Sequence, residues 1–133
     1  MNREILFKAK RIDNGEWVEG YMVKYPSGKV EFFKKCVELP DVLLRCEVDP
    51  KTICEYIGLE DKNGKKIWEN DILRRDGYWD IRIEFENGVF MVRNTDKVQY
   101  INRVVYTPIS IFDINVYEVI GNIFDNPKLL EAE

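Results

Sequence analysis

The chain has 133 residues, 45% of them hydrophobic and 13% aromatic, which is enough to bury a core without disulfides or metals. No apolar run approaches the roughly 20 residues that cross a bilayer, and the opening MNREILFKAKR carries too many charges for a signal peptide, so a soluble, cytoplasmic protein is expected. The net charge of −4 is gathered at the end: residues 1–50 hold nine basic and nine acidic side chains, whereas Asp113, Glu118, Asp125, Glu131 and Glu133 face Lys128 alone over residues 113–133.

The composition excludes much chemistry. There is no histidine, which removes the commonest general base, the usual metal ligand and every Ser-His or Cys-His pair. Cys36, Cys46 and Cys54 are odd in number and fit neither a disulfide framework nor a C-x-x-C metal knuckle. They read as core or half-buried thiols. No one-signed basic stretch marks a phosphate-backbone footprint.

In chain order, the first hairpin turns at Asn14-Gly15. A two-residue turn there sets Ile12 opposite Trp17, Lys10 opposite Glu19 and Phe7 opposite Met22. Gly20 in mid-strand predicts a bulge or a close backbone approach. Pro26-Ser27-Gly28 turns the chain into a short strand at Val30–Phe33. Leu39, Val42, Leu43 and Leu44 follow neither a helical nor a strand period, and Pro40 suits the start of a helical turn. Asp49-Pro50 predicts an N-capped turn before a strand at Ile53–Leu59.

Asn63-Gly64 marks a second hairpin, and Asp76-Gly77 a further turn. The clearest strand is Trp79–Glu86, where Trp79, Ile81, Ile83 and Phe85 alternate with Asp80, Arg82, Glu84 and Glu86. A two-residue turn at Asn87-Gly88 pairs Phe85 with Phe90 and Ile83 with Val92, placing Ile81, Ile83, Phe85, Phe90 and Val92 on one buried face. Val104–Tyr106, Ile109–Phe112 and Tyr117–Phe124 read as strands, and Asn126-Pro127 as a terminal helical turn. The whole is predicted to be antiparallel all-β, with no helix beyond about three turns.

Three stretches, KAKRIDNGEWVEGY, VDPKTICEYIGLEDKNGKKIWENDIL and VIGNIFDNPKLL, together resemble the YopX-like family of phage and prophage proteins. The signature residues are Gly58, Asn63, Gly64, Trp68, Asn70 and Asp71. Where the family usually has glycine this chain has Asn70, the non-glycine residue most tolerant of the left-handed region, so a positive-φ bend is expected there. The resemblance implies one domain over 1–133, with an N-terminal β-meander (1–48) and a small C-terminal barrel or roll of Src-homology-3 type (49–133). It also implies a phage- or prophage-borne gene, and no substrate, cofactor or catalytic residue.

The expected functional surface surrounds the signature hairpin: Lys62, Lys65 and Lys66, then Arg74, Arg75, Tyr78 and Trp79. Aromatics and cations of this kind grip single-stranded nucleic acid on small barrels, but Glu60, Asp61, Glu69, Asp71, Asp76 and Asp80 interleave with them and cancel much of the field. Glu69 and Asp71 share a face of an extended chain with Asp61 across the turn, an arrangement open to carboxylate or cation chemistry; the blander reading has Asp71 accepting backbone hydrogen bonds and Glu69 paired with a lysine. Asn94-Thr95-Asp96 is a polar loop end without assigned chemistry. The reading that follows is a non-enzymatic phage accessory protein without cofactor or metal. It binds a phage or host protein, pairs with itself through strand edges, and does not associate with membranes. A nucleic-acid-binding module is the alternative.

Overall fold

A computed structural model describes residues 4–35, 38–39, 43–94, 106–108 and 113–130. It is built from antiparallel strands and short 3₁₀ turns, and divides into two compact units, Met1–Tyr56 and Ile57–Glu133. The division falls inside a strand. Strand β5 (Cys54–Glu60) gives its first residues to the first unit's sheet and its last residues to a hairpin of the second.

The first unit is a meander of β1 (Phe7–Lys10), β2 (Trp17–Lys24), β3 (Val30–Lys35) and β4 (Leu43–Val48), with sheet order β4-β3-β2-β1-β5. Ala9, Val18, Val30, Phe32 and Val48 form its core. The meander curls until its ends meet: Arg11 bridges Val48, the Ile12 N–H donates to Glu47 O (3.1 Å), and the Asp49 N–H donates to Lys10 O (2.8 Å). The expected capped turn follows as Pro50–Thr52, with Asp49 Oδ1 accepting from the Lys51 N–H. Thr52 Oγ1 then locks this turn to β1 by accepting from the Lys10 N–H at 2.8 Å.

The first hairpin has a different register from the one expected. Lys10 lies opposite Trp17, Lys8 opposite Glu19 and Phe7 opposite Gly20. The loop is Ile12–Gly15, four residues closed by the Arg11 N–H to Glu16 O, with a bidentate Arg11–Asp13 pair and Asn14 Oδ1 accepting from the Glu16 N–H. These side-chain bonds favour the longer loop over a two-residue turn, and only Gly15 takes positive φ (72°). A two-residue slip keeps every side chain on its expected face. It also sets the Lys8 and Lys10 ammoniums over the Trp17 ring, 4.6 and 5.4 Å from its centroid.

Gly20 is a close approach: a Cβ there would stand 2.7 Å from Phe33 O. Strand β4 escaped the sequence reading because Leu43 and Leu44 are both exposed, so burial does not alternate along it. Pro40, Val42 and Cys36 lie outside the described residues. Cys54 is buried, its thiol donating to Thr52 O at 3.3 Å, and Cys46 is half-buried; neither is in a disulfide.

The second unit contains β6 (Lys66–Trp68), β7 (Asp71–Arg74), β8 (Ile81–Glu86), β9 (Val89–Asn94), β10 (Tyr106–Pro108) and β11 (Glu118–Asn122). Its five-stranded sheet has the order β10-β9-β8-β7-β11. Among the described residues the pairings leave this order open and do not by themselves show the Src-homology-3-type barrel or roll that the resemblance implied. The Asn87-Gly88 turn has positive φ at both residues (53° and 80°) and pairs Phe85 with Phe90 and Ile83 with Val92, as expected. Ile57, Ile67, Leu73, Ile81, Ile83, Val92, Ile114 and Tyr117 form the core, with Phe90 packed against it.

Two members of the expected strand depart from its buried face. Phe85 is 49% exposed, because it sits one pair from the hairpin tip, beyond the reach of the core. Its ring meets Phe90 edge-on, 5.1 Å between centroids. Trp79 precedes β8 and is exposed, because Arg74 takes Asp80 in a bidentate pair and turns the chain before the alternation begins. The terminal turn forms at Pro127–Leu130. Of Val104–Tyr106 and Ile109–Phe112, only Tyr106 is described, in β10; Thr95 and Asp96 also lie outside the described residues.

Ile83→Ala removes a fully buried side chain and is expected to cost ~2–5 kcal/mol. Phe85→Ala gives up mainly its edge-to-face contact and is expected to cost ~0.5–1.5 kcal/mol. Urea denaturation of both variants checks this; equal losses would contradict the placement of Phe85 outside the core.

Candidate functional site

The signature hairpin is organised by Asp61. Its Oδ1 accepts from the Asn63 N–H (2.8 Å) and the Lys65 N–H (2.9 Å), and its Oδ2 from the Val119 N–H (2.9 Å). The turn closes through the Gly64 N–H to Asp61 O and the Asp61 N–H to Lys65 O, a three-residue loop with Gly64 left-handed. Asn63 is therefore not a type I′ residue. Its amide instead reaches Glu118 Oε1 at 3.4 Å. The Lys62 N–H donates to Tyr117 O (3.0 Å), so the whole turn is fastened to the start of β11.

Asp61 is buried. Burial alone pushes its carboxyl upward, but the N–H donors of Val119, Lys65 and Asn63 and the Lys65 charge outweigh it, and the carboxyl lies below its ordinary value. The sequence reading treated Asp61 only as a neighbouring acid. The available signal was an aspartate at the first position of an Asp-x-Asn-Gly turn, where its oxygen can take the amide two residues on.

The other end of the hairpin bends as the stereochemistry requires. Asn70 has φ 73°, its N–H donates to Ile83 O (2.8 Å), and its carbonyl accepts from the Ile123 N–H (3.1 Å). Buried Asp71 accepts the Trp68 N–H at 2.9 Å, and Trp68 is itself buried. Gly58 has φ 89°, which glycine alone adopts cheaply within a strand. All of these signature residues thus serve the backbone of the second unit. Asp71 faces the bend rather than a cleft with Glu69. Among the described residues, no group of three or more Cys, Asp or Glu is placed to hold a metal ion.

The expected surface is only partly assembled. Arg74 is committed to Asp80 through Nε to Oδ1 (2.9 Å) and Nη2 to Oδ2 (2.8 Å), which raises its pKa further. The Lys62 ammonium lies 4.0 Å from Glu118. Lys65 is exposed and Lys66 half-buried. The Arg75 guanidinium stacks over Tyr78, 4.1 Å from the ring centroid. Tyr78 and Trp79 are 57% and 43% exposed. The two turns meet at Tyr117: its carbonyl holds Lys62, and its phenol feels Arg75 and Tyr78 while burial raises its pKa. The result is an aromatic knob beside a largely neutralised basic turn.

Asp61→Asn replaces an acceptor with an amide that confronts N–H donors, and should cost at least ~2 kcal/mol at neutral pH. Because the folded-state pKa is depressed, this stabilisation is present above the unfolded value of ~3.9 and is lost as pH falls through the folded value. The gap between wild type and variant should therefore narrow in acid; urea midpoints at pH 7 and at pH 3 test it, and a gap independent of pH would contradict the ionised clamp. Asn70→Gly should be neutral or slightly stabilising and Asn70→Val should cost more than ~1 kcal/mol; equal melting temperatures for the two would remove the positive-φ requirement.

The sequence profile described as "YopX protein" matches residues 6–131. Two crystal structures share the fold. Protein EF1440 from Enterococcus faecalis has a TM-score of 0.55 at 24% identity, with 98% of this chain and 100% of that chain covered. Protein yopX from Bacillus subtilis has a TM-score of 0.54 at 19% identity, covering 96% and 97%. No curated protein matches the chain. With nearly its whole length inside the profile, the chain belongs to the YopX family, a family of unknown function.

Proposed function

We propose that the protein is a non-enzymatic accessory protein of a phage or prophage, resident in the bacterial cytoplasm, that acts by protein–protein contact and associates with itself. The observation that carries this reading is the outer face of β2-β3-β4 in the first unit. Tyr21, Val23 and Leu43 are exposed there, with half-buried Phe33 between them in the β2–β3 register. Contiguous exposed apolar groups of this kind mark interaction surfaces.

The rim of that face carries both signs. Arg45 lies 3.5 Å from buried Glu31, and Glu47 follows on the same face. A surface bearing both charges can pair each with its opposite across a two-fold axis, which favours a second copy of the chain as the partner. Strand β4 ends the strand order of its sheet, and although Arg11 and Ile12 close its edge at Glu47 and Val48, the stretch before them is an edge among the described residues, which invites pairing.

The nucleic-acid reading draws on one different observation, the exposed Tyr78 and Trp79 with Arg75 stacked beside them. Against it stand the commitment of Arg74 to Asp80 and of Lys62 to Glu118.

Sedimentation equilibrium is expected to give a mass above the 15.8 kDa of one chain, rising with concentration. Tyr21→Glu combined with Leu43→Lys should return it to one chain without loss of secondary structure. A wild type that stays monomeric at its solubility limit overturns self-association. Salt-dependent retention on single-stranded DNA, lost in Tyr78→Ala, would move the assignment to the alternative.

A further inference from the structure

The chain carries three Asn-Gly pairs, each at an exposed turn: Asn14-Gly15, Asn63-Gly64 and Asn87-Gly88. Asparagine before glycine is chemically labile, because glycine has no side chain to keep its nitrogen away from the asparagine Cγ. In a folded chain two groups control the reaction, the glycine nitrogen that attacks and the carboxamide that is attacked. A group held in a hydrogen bond must give up that bond before it can react.

Two of the three pairs are held at both groups. The Gly15 N–H donates to Arg11 O (2.9 Å), and Asn14 Oδ1 accepts from the Glu16 N–H (2.9 Å). The Gly64 N–H donates to Asp61 O (3.0 Å), and Asn63 Nδ2 donates to Glu118 Oε1 (3.4 Å). The third pair is held at neither. Among the described residues the Gly88 N–H has no acceptor, and the Asn87 side chain has no hydrogen-bond partner. The flanking Glu86–Val89 pair is exposed, as is Phe85 one step further in. Opening this tip therefore uncovers no core.

We propose that Asn87 is a site of selective deamidation in the folded protein. The Gly88 nitrogen attacks Asn87 Cγ, its proton passes through water to the departing carboxamide nitrogen, and ammonia leaves as a five-membered succinimide closes. Water then opens the ring. Cleavage of the Cγ–N bond gives aspartate, and cleavage between the Asn87 carbonyl carbon and that nitrogen gives isoaspartate, with the backbone rerouted through Cβ. Water is the only co-reactant, and nothing is oxidised or reduced. Either product adds one negative charge to a chain of net charge −4. Isoaspartate also inserts an extra backbone carbon into the two-residue turn that sets Phe85 opposite Phe90 and Ile83 opposite Val92.

The test follows the full chain in mildly alkaline buffer, well below its melting temperature, beside a sample unfolded in urea. Peptide mapping with fragmentation that separates aspartate from isoaspartate reads the rate at each site. In the folded sample Asn87 should convert roughly tenfold or more faster than Asn14 and Asn63, because two hydrogen bonds hold each slower site. In urea the three rates should converge.

Asn87→Gly keeps a residue suited to positive φ and should abolish most of the conversion seen in the folded state. The isoaspartate form, separated by anion exchange, should melt below the unconverted chain; an equal melting temperature would overturn the effect on the turn. Native conversion of Asn87 no faster than that of Asn14 and Asn63 overturns the proposal, and so does a preference for Asn87 that persists unchanged in urea. The wild-type comparison is decisive by itself, even where the variant fails to fold.

Discussion

The second unit depends on one buried carboxylate. Asp61 holds its own turn with one oxygen and the N–H of Val119, 58 residues further along the chain, with the other. An ionised group inside a protein is tolerated only when its lone pairs are filled, and the backbone of two distant segments fills these. The consequence is mutual. The aspartate adds two side-chain bonds to the backbone bonds that close the turn, and its third donor, the Val119 N–H, ties β11 to the signature hairpin. The Lys62 N–H to Tyr117 O bond sits in the same seam, and Asn70 anchors the far end through the Ile123 N–H. The residues that make the family recognisable are thus those that join the first and last strands of this unit.

The signature residues make these backbone contacts, and the two exposed surfaces lie apart from them. The Tyr21–Leu43 face lies in the first unit, on the side of its sheet away from the Ala9, Val18, Val30, Phe32 and Val48 core. The Tyr78–Trp79 knob stands just outside β8, held out by the Arg74–Asp80 pair. Each surface carries aromatic or apolar groups that folding does not need to expose, which is why they are the candidates for contact.

Legibility in the sequence followed the range of the forces involved. The Asn87-Gly88 hairpin was readable to the residue, because two adjacent residues with positive φ fix a turn by themselves. The bend at Asn70, the close approach at Gly20 and the cap at Asp49 were readable for the same reason: each is a local steric or hydrogen-bond requirement. Asn14-Gly15 carries the same dipeptide but a longer loop, because Arg11, Asp13 and Asn14 add side-chain bonds that a dipeptide rule does not see. Phe85 was paired correctly yet lies exposed, since alternation tells which face a residue occupies but not how far the core extends beneath it. Strand β4 was hidden because both its leucines face solvent. The Asp61–Val119 bond was beyond reach, because nothing local announces which distant amide a buried carboxylate will take.

Amide hydrogen exchange of wild type and Asp61→Asn tests the account most directly. The N–H groups of Asn63, Lys65 and Val119 should be protected together in the wild type and lose protection together in the variant, while those of β3 in the first unit keep theirs. Unchanged protection of Val119 in Asp61→Asn would contradict the claim that this carboxylate ties the signature hairpin to the last strand.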